Sequence, residues 1–337
     1  MPELRKDPVI DRWVIIATER AKRPSEYQTT VEERRSGPGC VFCPGNEGKT
    51  PPEVFAYRNE NTEPDTPGWS VRVFPNKFPA LVPNGKARVE QKGIYTVMEG
   101  VGAHEVLVET PDHTALLQHL DVPALEKVVR AFRQRYLALS KDNKYILIFK
   151  NHGAKAGASL EHPHCQIIAT PIVPKAVTEE LQGSKKHHAT QARCVYCDML
   201  RTEIDEGVRV VFDSERFLSF CPYASIFPFE TWLVPKQHSN DFGDITEDQV
   251  RGLAEAIQEA LSRLERTVGD APYNLVLHTS PPKDEESKEH YHWHIEITPR
   301  LTTIAGFELG TSYYINPTPP EIAAEALRRS LEGRGVH

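Results

Sequence analysis

The chain has 337 residues, enough for one large domain or two of medium size. Hydrophobic residues make up 39% and charged residues 26%, the balance of a soluble globular protein, and no apolar run approaches the roughly 20 residues needed to span a bilayer. The net charge of −7 argues against a general nucleic-acid binder but leaves room for a local cationic pocket.

The first residues, Met1 to Asp7, lack the apolar core of a signal peptide, so the expected location is cytoplasmic. A basic cluster follows at Arg20, Lys22 and Arg23. Arg suits phosphate because its planar fork can bind two oxygens. Cys40 and Cys43 form a C-x-x-C pair, and a polar, Pro-rich stretch follows from Gly45 to Pro67. In a reducing compartment such a pair more often binds a metal than forms a structural disulfide. After His113, a helix is expected over residues 123–140, with Leu125, Val128, Val129, Phe132 and Tyr136 at helical spacing and Asp121 as cap. A strand follows at Tyr145 to Phe149, then a loop of small residues, Gly153 to Ser159, whose backbone N–H groups can come close to an anion.

The next stretch, His162-Pro163-His164-Cys165-Gln166, runs into Ile167-Ile168-Ala169. Side chains two apart share one face of a strand, so His162, His164 and Gln166 are expected to point the same way. The join between halves is expected at Glu179 to Gln191, where Gly183 to His188 is polar and flexible in composition, giving units 1–182 and 183–337. The landmarks then return in the same order. Cys194 and Cys197 form a second C-x-x-C, His238 is the lone histidine, a helix is expected over 246–267 with Thr246 as cap, a strand at Tyr273 to Leu277, and a second H-x-H at His292 and His294. His113 and His238 stand 125 positions apart, Tyr145 and Tyr273 128, and His162 and His292 130. Three landmarks at nearly one offset mark a duplicated unit. Strands on both sides of one long helix in each half indicate α+β with a mostly antiparallel sheet.

Zinc favours four Cys and His ligands in a structural site. Cys40, Cys43, His113 and His162 supply one set. Cys194, Cys197, His238 and His292 supply a second, which the duplication favours. A rival set in the second half is His278, His292 and His294 with Glu180 or Glu179, whose N/O ligation suits iron or zinc. His290 and His337 have no expected role beyond solvated surface. Neither C-x-x-C is expected to open a helix after a strand, which disfavours a thioredoxin-like redox pair. With His162 held by a metal, His164 is fixed beside it as a neutral imidazole able to attack phosphorus. Gln166 then donates to a phosphate oxygen, and Ser159 with the backbone around Gly157 holds the leaving phosphate.

The H-P-H-x-Q motif, with Gly157-Ala158-Ser159 just before it, resembles the galactose-1-phosphate uridylyltransferase family, a branch of the histidine-triad superfamily. Arg12 to Ile16 with Arg20 to Pro24, Val73 to Leu81, and Pro111-Asp112-His113 are similar to further family segments. The resemblance implies duplicated histidine-triad-like halves, a homodimer, and ping-pong transfer of UMP from UDP-glucose to galactose 1-phosphate. It implies His164 as the nucleotidylated residue, with Gln166 and Ser159 on the phosphates. Asn76, Phe78 and Asn151 would contact the nucleoside or its phosphate, with Gly157 and Ala158 beside them, and Arg20 and Arg23 would reach the neighbouring subunit's site. It implies zinc on Cys40, Cys43, His113 and His162, and an iron-type site on Glu180, His278, His292 and His294. The ending from Ile304 to Thr311, where Gly306, Phe307, Gly310 and Thr311 are expected at the sugar nucleotide, lacks the lysine of the family pattern. With Asn151 to Ala154 it looks closer to the sister ADP-glucose phosphorylases, which pass an adenylyl group to phosphate by the same covalent chemistry, although their motif carries Ser where this chain has Pro163. A third reading is a zinc-stabilised nucleotide-binding module without turnover.

Overall fold

Two long amphipathic helices frame the molecule. In a computed structural model that describes residues 1–17, 27, 39–83, 85 and 87–331, α1 spans Val122–Leu139 and α4 spans Glu247–Val268. Asp121 caps α1 by accepting the Ala124 N–H, and Thr246 with Gln249 closes a reciprocal capping box on α4. Each helix buries the apolar stripe that its spacing prescribes: Leu125, Val128, Val129, Phe132 and Tyr136 on α1, and Val250, Leu253, Ile257, Leu261 and Leu264 on α4. The two stripes share one core with the sheet beneath them.

The first half contributes β3 (Phe55–Arg58), β4 (Trp69–Pro75), β7 (Ala103–Val108), β8 (Tyr145–His152) and β9 (His164–Thr170). The second contributes β10 (Val210–Asp213), β11 (Phe217–Phe220), β12 (Thr231–Pro235), β13 (Tyr273–His278) and β14 (His294–Pro299). These ten strands form a single sheet in the order β10-β11-β12-β14-β13-β8-β9-β7-β4-β3, antiparallel at every pairing. The seam is the pairing of β13 with β8, where Asn274 lies opposite Asn151. A small second sheet joins β1 (Glu3–Lys6), β2 (Trp13–Ile16) and β15 (Tyr314–Asn316), with β15 parallel to β2. A separate hairpin of β5 (Val89–Lys92) and β6 (Tyr95–Met98) leaves Ile94 and Tyr95 largely exposed.

The expected flexible join is instead a regular helix. α2 runs over Lys175–Gln191, across the 182/183 boundary, and α3 follows over Val195–Glu206. Val177, Glu180 and Ser184 share the buried face of α2 at helical spacing. Polar composition suggested flexibility, but the buried stripe and tertiary contacts hold the segment. At Gly183 the helix passes so close to the N-terminal loop that a Cβ there would lie 1.7 Å from the Val9 carbonyl oxygen. Cys194 stands at the position just before α3, so the second C-x-x-C does open a helix, although one that follows another helix rather than a strand. His290 is likewise buried rather than solvated, with its Nδ1 2.9 Å from Ser184 Oγ. His337 lies outside the described residues.

Candidate active site

His162 lies just before β9 and is fully buried, and His164 opens the strand. The C-x-x-C turn folds over them. Asn46 donates to the Cys40 carbonyl at 2.8 Å, and the Phe42 ring meets the His164 ring edge-on at 5.3 Å. His113 reaches the same point from the loop after β7, which Asp112 shapes by accepting from the Thr114 N–H and hydroxyl. The Sγ atoms of Cys40 and Cys43 and one nitrogen each of His113 and His162 all lie within 4.8 Å of one another. Cys43 Sγ is 3.4 Å from His113 Nδ1 and 3.5 Å from His162 Nδ1. A tetrahedral ion with ordinary zinc–sulfur and zinc–nitrogen lengths sets such atoms about 3.6 Å apart. His162 Nε2 donates to the Thr110 carbonyl at 2.9 Å, which leaves Nδ1 as its acceptor for a metal. Burial lowers the His162 pKa to about 4, so the ring is neutral, as a ligand must be.

His164 is held through its other nitrogen. Its Nδ1 donates to the His162 carbonyl at 2.8 Å, so the lone pair belongs to Nε2. Burial also lowers the His164 pKa, which keeps the ring neutral near pH 7. Beneath the strand, Cys165 faces the opposite side and donates to Glu109 Oε1 at 2.9 Å. Lys150 Nζ pairs with the same carboxylate at 2.8 and 2.9 Å, and both residues are almost wholly buried. Gln166 accepts at 2.8 Å from His104 Nε2. Asn76, just past β4, places its Oδ1 2.9 Å from the Phe78 N–H, and the Phe78 ring stands 84% exposed.

The loop from Gly153 is a tight turn, with Gly153 at φ +79° and Gly157 at +92°. The N–H groups of Ala156 and Ala158 donate to the Gly153 carbonyl, and that of Gly157 to Ala154, so these three are spent inside the loop. Ser159 stands exposed beyond them. Asn151 borders the loop from β8. Gly306, Phe307, Gly310 and Thr311 fall in the short exposed helix α5 (Gly306–Thr311), which packs beside β15 of the small sheet. Arg20 and Arg23 lie outside the described residues.

The second half repeats the constellation. Cys194, Cys197, His238 and His292 bring one ligand atom each within 4.8 Å of the others, with Cys197 Sγ 3.2 Å from His238 Nδ1 and 3.7 Å from His292 Nδ1. Hydrogen bonds from Cys194, His238 and His292 lower the Cys197 thiol pKa, which favours the thiolate form that a metal would bind. Since His292 turns to this set, the rival set contracts to Glu180, His278 and His294, which also lie within 4.8 Å of one another. Glu180, not the exposed Glu179, is the carboxylate. Although burial alone would lower it, the Glu180 and Glu296 carboxylates raise the His278 pKa to about 9. His294 copies His164 in donating Nδ1 to the carbonyl two residues back, at 3.1 Å, but Trp232 stacks on its ring and Glu296 stands where the first half has Gln166. The first copy therefore has an amide beside its free imidazole, and the second has carboxylates.

A model of the galactose-1-phosphate uridyl transferase N-terminal domain matches residues 1–174, and a model of its C-terminal domain matches residues 180–332. The chain belongs to this family. Among its relatives, ADP-glucose phosphorylase of Arabidopsis thaliana is 35% identical over 97% of this chain and 92% of its own length. Galactose-1-phosphate uridylyltransferase of Thermotoga maritima is 30% identical over 98% and 99%. The crystal structure of the Arabidopsis ADP-glucose phosphorylase with bound ADP-glucose superposes with a TM-score of 0.82 at 33% identity, covering 97% of this chain and 99% of that one. A uridylyltransferase structure superposes at 0.75 and 28%, covering both chains completely.

Sequence reasoning did not find Phe42, His104, Lys150, Glu109 or Asn274. Phe42 lies inside the C-x-x-C turn and Glu109 just past β7, while His104, Lys150 and Asn274 sit on strands whose neighbours appear only once the sheet is assembled.

Proposed function

We propose that this protein is a hexose-1-phosphate nucleotidyltransferase that works through a covalent nucleotidyl-histidine at His164. The observation that carries the reading is the His164 ring: buried, neutral, held through Nδ1 and offering Nε2. The Nε2 lone pair attacks the α-phosphorus of a nucleotide sugar. The bond from phosphorus to the bridging oxygen breaks, and hexose 1-phosphate leaves with that oxygen's electron pair. In the second step an acceptor phosphate oxygen attacks the same phosphorus, and the P–N bond breaks to restore the imidazole. Splitting the exchange into two displacements gives ping-pong order. Gln166 donates to a phosphate oxygen, with Ser159 at the leaving group, Gly157 and Ala158 beside it as small residues whose own N–H groups stay inside the loop, and Asn76, Phe78 and Asn151 at the nucleotide. Gly306, Phe307, Gly310 and Thr311 are assigned to the sugar nucleotide.

Family membership supports UMP transfer from UDP-glucose to galactose 1-phosphate. The 35% identity to ADP-glucose phosphorylase favours a second reading, adenylyl transfer to inorganic phosphate. Intact-mass measurement separates them. The protein is incubated with UDP-glucose or ADP-glucose and no acceptor. A uridylyl adduct supports the first reading and an adenylyl adduct the second. Absence of both adducts and of hexose 1-phosphate release would remove the covalent mechanism.

Zinc is the proposed metal at both Cys₂His₂ sets, where four soft-to-borderline donors at tetrahedral spacing fit it. In the first half it would brace the start of β9 and so the height of His164. A homodimer is proposed as well. An isolated two-stranded hairpin is marginal in water, and the exposed Val89, Ile94, Tyr95 and Val97 of β5–β6 suit cover by a second chain. Arg20 and Arg23 are assigned to the neighbouring subunit's site, and the protein to the cytoplasm; among the described residues no helix is long and apolar enough to cross a membrane. Residues 1–182 and 183–337 are taken as the duplicated units.

A further inference from the structure

Three carboxamides border the proposed phosphate site, on β8, on β9 and just past β4: Asn151, Gln166 and Asn76. An amide can offer a phosphate either its oxygen or its N–H₂ group, and only the second is attractive. In this protein neighbouring groups settle that choice for all three.

The assignments follow from backbone groups whose roles cannot change. The Ala80 N–H donates to His104 Nδ1 at 3.2 Å, so Nδ1 is an acceptor and the ring proton sits on Nε2. That proton goes to Gln166 Oε1 at 2.8 Å, which engages the oxygen and leaves the N–H₂ group as the donor Gln166 can offer a ligand. The Phe78 N–H occupies Asn76 Oδ1 at 2.9 Å. Asn76 Nδ2 then lies 3.2 Å from His104 Nε2, as two donors whose hydrogens turn elsewhere. On the other side, the Ala156 carbonyl accepts from Asn274 Nδ2 at 2.9 Å, which identifies that atom as nitrogen. Its second hydrogen goes to Asn151 Oδ1 at 2.8 Å. Asn151 Nδ2 consequently faces the phosphate loop, 3.6 Å from where a Cβ on Gly157 would stand. The register makes this possible. Asn274 is the direct cross-strand partner of Asn151, and His104 sits two residues from Val106, the partner of Gln166.

We propose that His104 and Asn274 are positioning residues that lock Gln166 and Asn151 as pure hydrogen-bond donors, so that neutral amides read the phosphate oxygens of the nucleotide sugar. Asn76, held by Phe78 N–H, completes the set. The inference rests on the nucleotidyl-transfer reading above. It also explains a chemical economy: neutral donors grip a phosphate during attack without the full charge that would make the leaving phosphate hard to release. Asn274 carries an additional consequence, since it belongs to the second half and clamps a loop of the first. The noncatalytic copy thereby sets the donor geometry of the catalytic one.

The test is a pair of double-mutant cycles read on the full chain. His104→Phe is combined with Gln166→Ala, and the isosteric Asn274→Asp with Asn151→Ala. Two quantities are measured: the rate of adduct formation on His164, and the affinity for inorganic pyrophosphate by calorimetry. Each positioning variant is expected to lower both by about tenfold, the loss of one hydrogen bond to a charged group. Neither should have a further effect once its amide partner is already Ala. His104→Gln, whose amide N–H can reach the Gln166 oxygen, should recover most of the loss. Equal losses with and without the amide partner, or no loss at all, would overturn the proposal, and Asn274→Asp decides it even if His104→Phe does not fold. If wild-type protein forms no adduct while the pyrophosphate cycles couple as stated, the transfer reading falls and the amide assignment stands. If adduct forms and the cycles are additive, the reverse holds.

Discussion

His164 keeps its reactive lone pair because two influences act on it together. Burial disfavours the imidazolium, and the His162 carbonyl takes the proton of Nδ1. His162 uses its nitrogens the opposite way, donating from Nε2 to Thr110 and turning Nδ1 to the cysteines. The two histidines of one motif therefore present opposite nitrogens, because different ones are spent on backbone. His164→Ala should abolish the covalent adduct while metal content, read by elemental analysis, stays at the wild-type level. His162→Ala should lower metal content and thermal stability together. An adduct that survives in His164→Ala would remove His164 as nucleophile. Below the strand, Lys150 and Glu109 are a buried ion pair with almost no exposure. Lys150→Met leaves the Glu109 charge unpaired and is expected to cost about 3–5 kcal/mol in denaturant unfolding. The candidate ligand clusters and the proposed nucleophile were legible because Cys and His spacing is their own signal. Phe42, His104 and Asn274 were not, because an aromatic, a lone histidine and an asparagine carry no local signal of their partners.

At the scale of elements, the helices α1 and α4 and the strands that follow them were readable from periodicity and caps, since each buries one face against the same core. The segment at 175–191 was not. Its lysines, histidines and glycine suggest a loop, yet Val177, Glu180 and Ser184 face inward, where Glu180 partners Tyr291 and His278 and Ser184 partners His290. Gly183 shows how tertiary contact overrides propensity. In an isolated helix Ala would be better by about 1 kcal/mol. Here a Cβ would collide with the Val9 backbone, so Gly183→Ala should destabilise the protein by about 1–3 kcal/mol, read as a lower melting temperature. A neutral or stabilising result would mean that α2 and the N-terminal loop separate without cost. The loop at 153–159 is the other lesson at this scale. Small residues predicted close approach to an anion, but its tight turns consume three of its own amides, and beside it the Asn151 oxygen is taken by Asn274.

At the scale of the whole molecule the two halves share one ten-stranded sheet, and at the β8–β13 seam Asn274 of the second half donates to the Ala156 carbonyl in a loop of the first. Metal removal should therefore be felt globally: prolonged chelation is expected to lower both metal content and melting temperature, and an unchanged melting temperature would count against a bracing role for the metal. Acid sensitivity has a separate source near the outer edge of the sheet. Burial would raise the Glu53 carboxyl, but hydrogen bonds from Arg58 and the buried Arg72 outweigh it and hold the group below its ordinary 4.5. A carboxyl with a lowered folded pKa adds stability above its unfolded value and loses it as pH falls through the folded one. Wild type should thus exceed Glu53→Gln in stability at neutral pH, with the gap closing as pH drops below about 4.5 toward the lowered value. A gap constant with pH would remove this pair as a contributor. By itself the sequence determined the duplication, the two long helices and the residues able to bind metal or attack phosphorus, because these depend on spacing along the chain and on the chemistry of each side chain. Only the tertiary structure decided which cluster His292 joins, that the join is a helix, that the halves share one sheet, and which way each amide turns. Those outcomes depend on contacts between residues tens to hundreds of positions apart, where neither periodicity nor motif reaches.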